Sequence, residues 1–586
     1  MRTTYCYNHE AWIGLTTIAM KSIEYCLPAT TLSKVQCDNI MWQLIKEFLP
    51  RAGINRYIKR DILYANPTIQ GLGLKSLYLT QGISHIAELI EHQWKNSITS
   101  HFQMMSLECL RLELGVNANI LSSNYCKYKN IILTTSWITH TWDFMSTNHI
   151  TLNISIPEIP IARINNCNIM EKINDNSQLS KSEKIIANKC RIFLQAFNLS
   201  DIVTGNGRSI SNDAWNGHKS DNRDHRLNWP LWGQPSSSMW KTWQAFLRKI
   251  FCSVQGTYLD QPLGKWIRIP TSWKWYSNGD VLIYKKNDGS ILNHPRTTEL
   301  HRRPQFSTQG EIINKLSHRS LVPTAIKHVN ESIFHEGIAC ICDSEEQSNL
   351  LSHPLKKWLQ HTFIMNADKA DIINQITHGT AIGVTDGSFY EEEMVGAAAW
   401  TITNGNHEKL LESTTIVPGY DKQHSSIRSE LCGLLAILDY IHSICEEYNL
   451  STGGITLYCD NINAVNIINE WTLLKMTPRH KNADIVSACL AIKGNFTIKI
   501  QCCHIYGHQD RNIPYHLLTP TARLNIDMDK NAKSLAKEII HSNDMKLEAG
   551  NHPLTFITCY WNQIPIADKI NNKIYETITN HKVISY

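Results

Sequence analysis

Apolar residues recur at helical spacing through residues 1–120, where Ile83, Ile86, Leu89 and Ile90 share one face and Glu88 and Glu91 take the other. Trp12, Ile13 and the run from Leu15 to Ile23 make a second apolar segment. Between them, Gly71-Leu-Gly-Leu lacks the third glycine and the flanking strand of a phosphate loop, so it predicts a tight turn. Periodicity fades over residues 121–228, an irregular stretch, and Ser200 to Asn228 reads as a linker rich in Asn, Ser, Gly and Asp. Residues 229–306 read as a small Trp-rich, β-containing region, 307–375 as a helical connector and 546–586 as a C-terminal tail.

Residues 376–545 carry a different pattern. Ala381–Asp386, Ala397–Thr403, Leu411–Val417, Ile455–Asp460 and Ile498–Ile505 are strand candidates. Ser425–Tyr448, Asn461–Glu470, Ala483–Ile492 and Ala522–Ile540 are helix candidates. Three strands, then helix, strand, helix, helix, strand, helix predict an α/β unit: a mixed five-stranded sheet with flanking helices.

Composition narrows the class without naming the function. The chain has 586 residues, 42% apolar and 19% charged, with a net charge of +5. That is ordinary for a globular protein of several domains, and it permits nucleic acid as a partner without requiring it. The 17 cysteines follow no repeated spacing, which suggests reduced thiols and an intracellular protein. No run approaches the ~20 apolar residues of a membrane span. Eight of the 17 tryptophans fall between Trp215 and Trp275, interleaved with Lys and Arg. Such residues can stack bases and neutralise phosphate, but burial in a small core is the expected use here.

The candidate chemistry lies in four acids. Asp386 ends the run Ala381-Ile-Gly-Val-Thr-Asp386 before Gly387, and Asp460 ends Ile455-Thr-Leu-Tyr-Cys-Asp460. Glu430 sits at the start of one helix pattern and Asp529 at the start of the last. Strand ends and helix starts meet at one rim of an open sheet. Clustered carboxylates repel and raise one another's pKa unless cations join them. Oxygen ligands favour Mg²⁺ or Mn²⁺, and two such ions ~4 Å apart can drive phosphodiester hydrolysis. Gly387 would let the chain turn, and Ser388 would bond a phosphate or sugar. Cys502-Cys503-His504 with His508 lacks the Cys-x2-Cys spacing of a zinc site, so no zinc is expected.

Thr385-Asp-Gly-Ser388, Arg428-Ser-Glu430-Leu431, Cys459-Asp460-Asn461, Gly507-His-Gln-Asp510 and Asn525-x3-Asp529-x2-Ala532 together resemble a ribonuclease H of type 1, in the version fused to reverse transcriptases of non-LTR retrotransposons. The resemblance implies that Asp386, Glu430, Asp460 and Asp529 bind two metal ions and hydrolyse the RNA strand of an RNA–DNA hybrid. It prefers Asp529 over Asp527, because Asn525 and Ala532 bracket Asp529 as the family pattern does. Asn461 and Ser426 would contact substrate, with Ser426-Ile427 replacing the family's Asn pair. Lys475, Arg479 and Lys481 would form a basic substrate handle, and His508 or His516 would stand where relatives place a product-release histidine. Residues 60–95 resemble the segment after the polymerase palm, yet no Asp-Asp pair exists for a polymerase, so a separate reverse transcriptase is a candidate partner. The alternative reading is an inactive nucleic-acid-binding module with the same fold.

Overall fold

The computed structural model describes residues 7–95, 97–154, 159, 164–203, 207–218, 228–252, 256–264, 275–277, 281–285, 291–297, 307, 311–313, 322–323, 361–419, 423–542, 557–566 and 569–584. The sheet expected in the C-terminal third is present with six strands. They are β1 (Thr362–Met365), β2 (Ala381–Tyr390), β3 (Val395–Thr403), β4 (Lys409–Ile416), β5 (Gly454–Cys459) and β6 (Lys499–His504). Their order is β6-β5-β2-β3-β4-β1. β2, β5 and β6 run parallel, and the pairs β2–β3, β3–β4 and β4–β1 are antiparallel. The extra strand β1 lies where a helical connector was expected, and it pairs Thr362 with Thr414 and Met365 with Leu411.

Five helices accompany the sheet: α1 (Lys369–His378), α2 (Ser426–Glu447), α3 (Ile462–Glu470), α4 (Ala483–Gly494) and α5 (Pro520–His541). α2 and α5 both pack on β2 and β3. β3 is buried at every position, and its sequence Val-Gly-Ala-Ala-Ala-Trp is small or apolar throughout rather than alternating. That is the pattern of a strand covered on both faces. Ala532 of α5 packs with Met528 against Ala399, and Ala399 is the register partner of Asp386. Small residues at this contact bring α5 close to the sheet beside the first acid.

Outside this unit, helices Lys34–Phe48, Leu77–Lys95, Ile98–Leu114 and Trp137–Thr147 form a helical body. The Gly71-x-Gly73 turn has Gly73 at φ +69°, a conformation glycine adopts without Cβ strain. Two expectations need correction. The described residues of 121–218 include strand Ile150–Ile154 and helix Lys181–Leu194, while the linker expected over Ser200–Asn228 lies partly outside the described residues. The described part of the expected tail is folded too: strands Ile557–Trp561 and Ile564–Ile566 extend a sheet begun by Ile150–Ile154. Helix Ile570–Ile584 then buries Ile570, Ile574 and Ile578 and rests on Leu77–Lys95. The strand pairing was not visible locally, because partners 400 residues apart leave no short-range signal, whereas helix Lys181–Leu194 does carry one in its Ser180–Glu183 capping box.

The Trp-rich region contains helix Ser237–Ile250, which buries Trp240 and Trp243. Strands Trp275–Ser277, Val281–Lys285, Ile291–Pro295, Glu311–Ile313 and Val322–Pro323 form a small sheet reaching past residue 306. The basic–aromatic run 265–274 lies outside the described residues.

Candidate metal centre

Strand register brings the first two acids level. Cys459 pairs with Thr385 where parallel strands β5 and β2 lie side by side, so the next residues in line are Asp460 and Asp386. β5 ends there, but β2 does not: it continues to Tyr390, paired with β3. The turn expected after Asp386 is therefore absent. Gly387 serves a different need. A Cβ on it would lie 2.6 Å from the Glu430 backbone nitrogen and 2.8 Å from Ser429 Cβ. Only glycine lets α2 come this close to the strand. Ser429 Oγ donates to the Ser388 carbonyl at 3.0 Å and ties the two together.

The helix-borne acids also differ from expectation in position. Glu430 is the fifth residue of α2 and Asp529 the tenth of α5, because α5 begins at Pro520 behind the cap Thr519. Along α5, Asn525, Asp529 and Lys533 stand four residues apart on one face. Asn525 Nδ2 donates to Asp386 Oδ2 at 2.7 Å, and Lys533 Nζ holds Asp529 Oδ2 at 2.7 Å. Asp527 points elsewhere, accepting from Tyr515 at 3.0 Å and pairing with Lys409 at 3.3 Å. The start of α2 is fixed by the buried Arg428. It donates to Asp484 of α4 through two bonds of 2.9 and 2.7 Å and to the Pro418 carbonyl at 2.7 Å.

The electrostatics follow from this crowding. Burial, then the charges of Asp460 and Asp529, push the Asp386 carboxyl up to about 9, against the smaller opposing pull of Lys533 and Asn525. Burial, then Asp386 and Asp460, hold Glu430 well above the usual carboxylate range. Ligand atoms of Glu430, Cys459 and Asp460 all lie within 4.8 Å of one another. The four acids come from β2, α2, the end of β5 and α5, and each perturbs a neighbour. Their all-oxygen donors suit a hard divalent cation, whose charge would reverse this mutual penalty.

The remaining expected residues divide. Ser388 is buried within the continuing strand. Asn461 caps α3, its side chain accepting from Asn463 N at 3.1 Å and Ala464 N at 3.2 Å. Ser426 is exposed at the first position of α2. Lys475, Arg479 and Lys481 are exposed between α3 and α4, and Lys475 donates to the Glu470 carbonyl at 3.3 Å. His508 lies past the end of β6 with its Nδ1 3.7 Å from Asp529 Oδ2. His516 is exposed on the turn Tyr515–Leu517. Sequence reasoning missed Lys533 and Gly507. A Cβ on Gly507 would fall 2.3 Å from Asp460 Oδ2, so this loop crosses directly over that carboxylate. The Gly507-His508 motif was the available signal.

No family model matches the chain, and no curated protein does. Among solved structures, it is similar to LC11-RNase H1 in complex with an RNA/DNA hybrid, at 12% identity and a TM-score of 0.21, covering 27% of this chain and 99% of that one. It is also similar to the N-terminal RNase H domain of Rv2228c from Mycobacterium tuberculosis, solved as a maltose-binding-protein fusion (16% identity, TM-score 0.18, 27% of this chain and 98% of that one). A third similar structure is RNase H1 from the archaeon Halobacterium salinarum (13% identity, TM-score 0.17, 25% of this chain and 97% of that one).

Proposed function

We propose that this protein hydrolyses the RNA strand of RNA–DNA hybrids at the centre formed by Asp386, Glu430, Asp460 and Asp529. The supporting observation is the convergence of four carboxylates from four elements, with Asp386 raised to about 9 by burial and by its acidic neighbours. Such a group is poorly suited to structural work and well suited to binding cations. The choice of hybrid over other duplexes rests on the motif set in the sequence.

The four carboxylates would hold two Mg²⁺ (or Mn²⁺) ions. When bound, such ions activate a water and steady the leaving oxygen of the phosphodiester. The protein's own groups set the stage. Asn525 orients the Asp386 carboxylate, and Lys533 fixes Asp529. Gly507 leaves room for the Asp460 carboxylate beneath its loop. His508, beside Asp529, is assigned to product release. Lys475, Arg479 and Lys481 would meet the phosphate backbone, giving binding that weakens as salt rises. The motif resemblance also leads us to assign the chain to the C-terminal part of a retroelement protein, working beside a separate polymerase.

The test is a labelled-duplex assay with Mg²⁺ on RNA–DNA, RNA–RNA and DNA substrates, comparing wild type with Asp386→Asn. Cleavage of the RNA strand in the hybrid alone, lost in the variant, is the expected result. Equal rates for the two proteins would end the proposal.

A further inference from the structure

Outside the acidic centre, the N-terminal helices and helix Ile570–Ile584 enclose a cavity of about 380 Å³, a size typical of small-ligand sites. Helix Lys34–Phe48, the short helix Arg60–Tyr64 and the start of helix Leu77–Lys95 wall it, and helix Ile570–Ile584 contributes Thr579. Two cations, Lys34 and Arg60, and two anions, Asp38 and Asp61, line it together with Tyr64 and Tyr78. Among the described residues no ion pair joins these four charges. Arg60 Nη1 reaches the carbonyls of Arg56 and Ile58 only at 3.4 and 3.3 Å. Tyr64 and Tyr78 are half-buried, yet neither hydroxyl has a hydrogen-bond partner among the described residues. Buried tyrosines usually find one. Burial pushes both phenols up to about 12, so at neutral pH both stand as donors.

An exposed aromatic pair adjoins the cavity. Trp42 and Tyr57 have ring centroids 6.1 Å apart, and Tyr57 is 69% exposed. Arg56 lies over the Tyr57 ring at 4.9 Å and Arg60 over the Trp42 ring at 5.7 Å. Arg60 thus belongs to both the pair and the cavity. Arg51, Arg56, Lys59 and Arg60 fall within a single short stretch that holds no acid.

We propose that the cavity holds one nucleotide unit of a single nucleic-acid strand, and that the neighbouring base stacks on Trp42 and Tyr57. A phosphate suits Lys34 and Arg60. The carboxylates of Asp38 and Asp61 accept from base amino groups or sugar hydroxyls. Tyr64 and Tyr78 add aromatic surface and two donors. A metal ion would have no use for the two cations, and an inorganic anion none for the two carboxylates. An apolar ligand would leave all four charges unanswered. Exposed aromatic rings beside arginine hold single strands by stacking and by neutralising phosphate, with little dependence on sequence.

This site does not depend on the hydrolase reading, and binding is measured in chelator so that metal-dependent cleavage does not consume the probe. A labelled single-stranded oligouridine is titrated with the full chain, and its anisotropy is followed at several salt concentrations. Lys34 and Tyr57 are exposed, so replacing either leaves the fold in place. Tyr57→Ala should weaken binding about fivefold or more, and Lys34→Ala should lower the log–log salt slope by about 0.7. Asp386→Asn should bind as wild type does. The same oligouridine carrying 4-thiouridine should photocrosslink within residues 34–79. Uridine monophosphate serves as competitor, and it should displace the strand only at concentrations well above those of unlabelled oligouridine. Equal potency would overturn the strand in favour of a free nucleotide. Wild-type affinity and salt slope in both variants, or crosslinks confined to other parts of the chain, would overturn the site itself.

Discussion

Arg191, in the helix Lys181–Leu194, is fully buried, and an oxygen faces each of its guanidinium nitrogens. It donates to Asn188 Oδ1 at 3.0 and 2.8 Å and to the carbonyls of Ala196, Leu112 and Glu113 at 3.0, 2.6 and 2.8 Å. Asp386 and Glu430 are buried almost as deeply. Their neighbours, however, are other acids, and both carboxyls are driven upward as a result. One buried group is hydrogen-bonded throughout by the chain itself, and the other faces like charges that, under the proposed function, bound cations would offset. The difference teaches that burial alone does not mark a functional group. What marks it is buried charge that the fold leaves uncompensated.

The contrast can be broken most sharply at Arg191. Arg191→Ala strands several carbonyls, and denaturant unfolding should show a loss of about 3–5 kcal/mol. Asp386→Asn should act in the opposite sense on stability. Hybrid cleavage should fall by about a hundredfold or more, while the melting temperature in chelator should rise at neutral pH, because folding no longer has to protonate a buried acid.

The pH dependence sharpens the same difference. Asp386 sits at about 9 when folded, above its unfolded value of about 3.9. Between those values the folded state holds the extra proton, so metal-free stability should decline as pH rises through that window. His85 works the other way. Burial lowers it to about 4, so its contribution is full above about 6.5 and is lost as pH falls toward 4. In melting curves the two effects oppose each other between about 4 and 6.5; from about 6.5 to 9 only the Asp386 decline remains in chelator, and Asp386→Asn should remove it. Mg²⁺ should raise the wild-type melting temperature most at high pH, where the site no longer holds its proton.

The smallest effects belong to the exposed groups. His508→Ala should slow turnover a few-fold while leaving the Mg²⁺-induced rise in melting temperature in place. Removing Arg479 or Lys481 should weaken hybrid binding and reduce its log–log salt slope by about one each. An unchanged slope would remove these residues from the proposed interface.

The sheet of the C-terminal third was legible because its strands and helices carry clean periodicities and short connections. The identities of the four acids were legible from their motif contexts, but their settings were not. Asp529 is expected at a helix start although the apolar pattern from Ala522 already puts it inside, and the helix begins at Pro520 behind its cap Thr519. Gly387 reads as a turn residue because a glycine demanded by close approach and one demanded by backbone angle look the same in a sequence. Strand β1 gave no alternating signal: its positions Thr362 to Met365 are all exposed. The pairing of Ile557–Trp561 with Ile150–Ile154 joins segments with no shared local pattern.

That last pairing has a practical corollary for anyone wishing to cut the molecule down. Ile570 N donates to the Pro478 carbonyl at 3.0 Å, Gln423 Nε2 donates to the Pro565 carbonyl at 2.9 Å, and the turn Leu473–Lys475 touches helix Leu77–Lys95. In topological terms the six-stranded unit is a guest spliced into a host whose first and last segments embrace. Trimming the final thirty residues would remove two strands and a helix from the host as well as a brace beneath the basic loop. A minimal fragment is better designed by keeping both ends and shortening the middle.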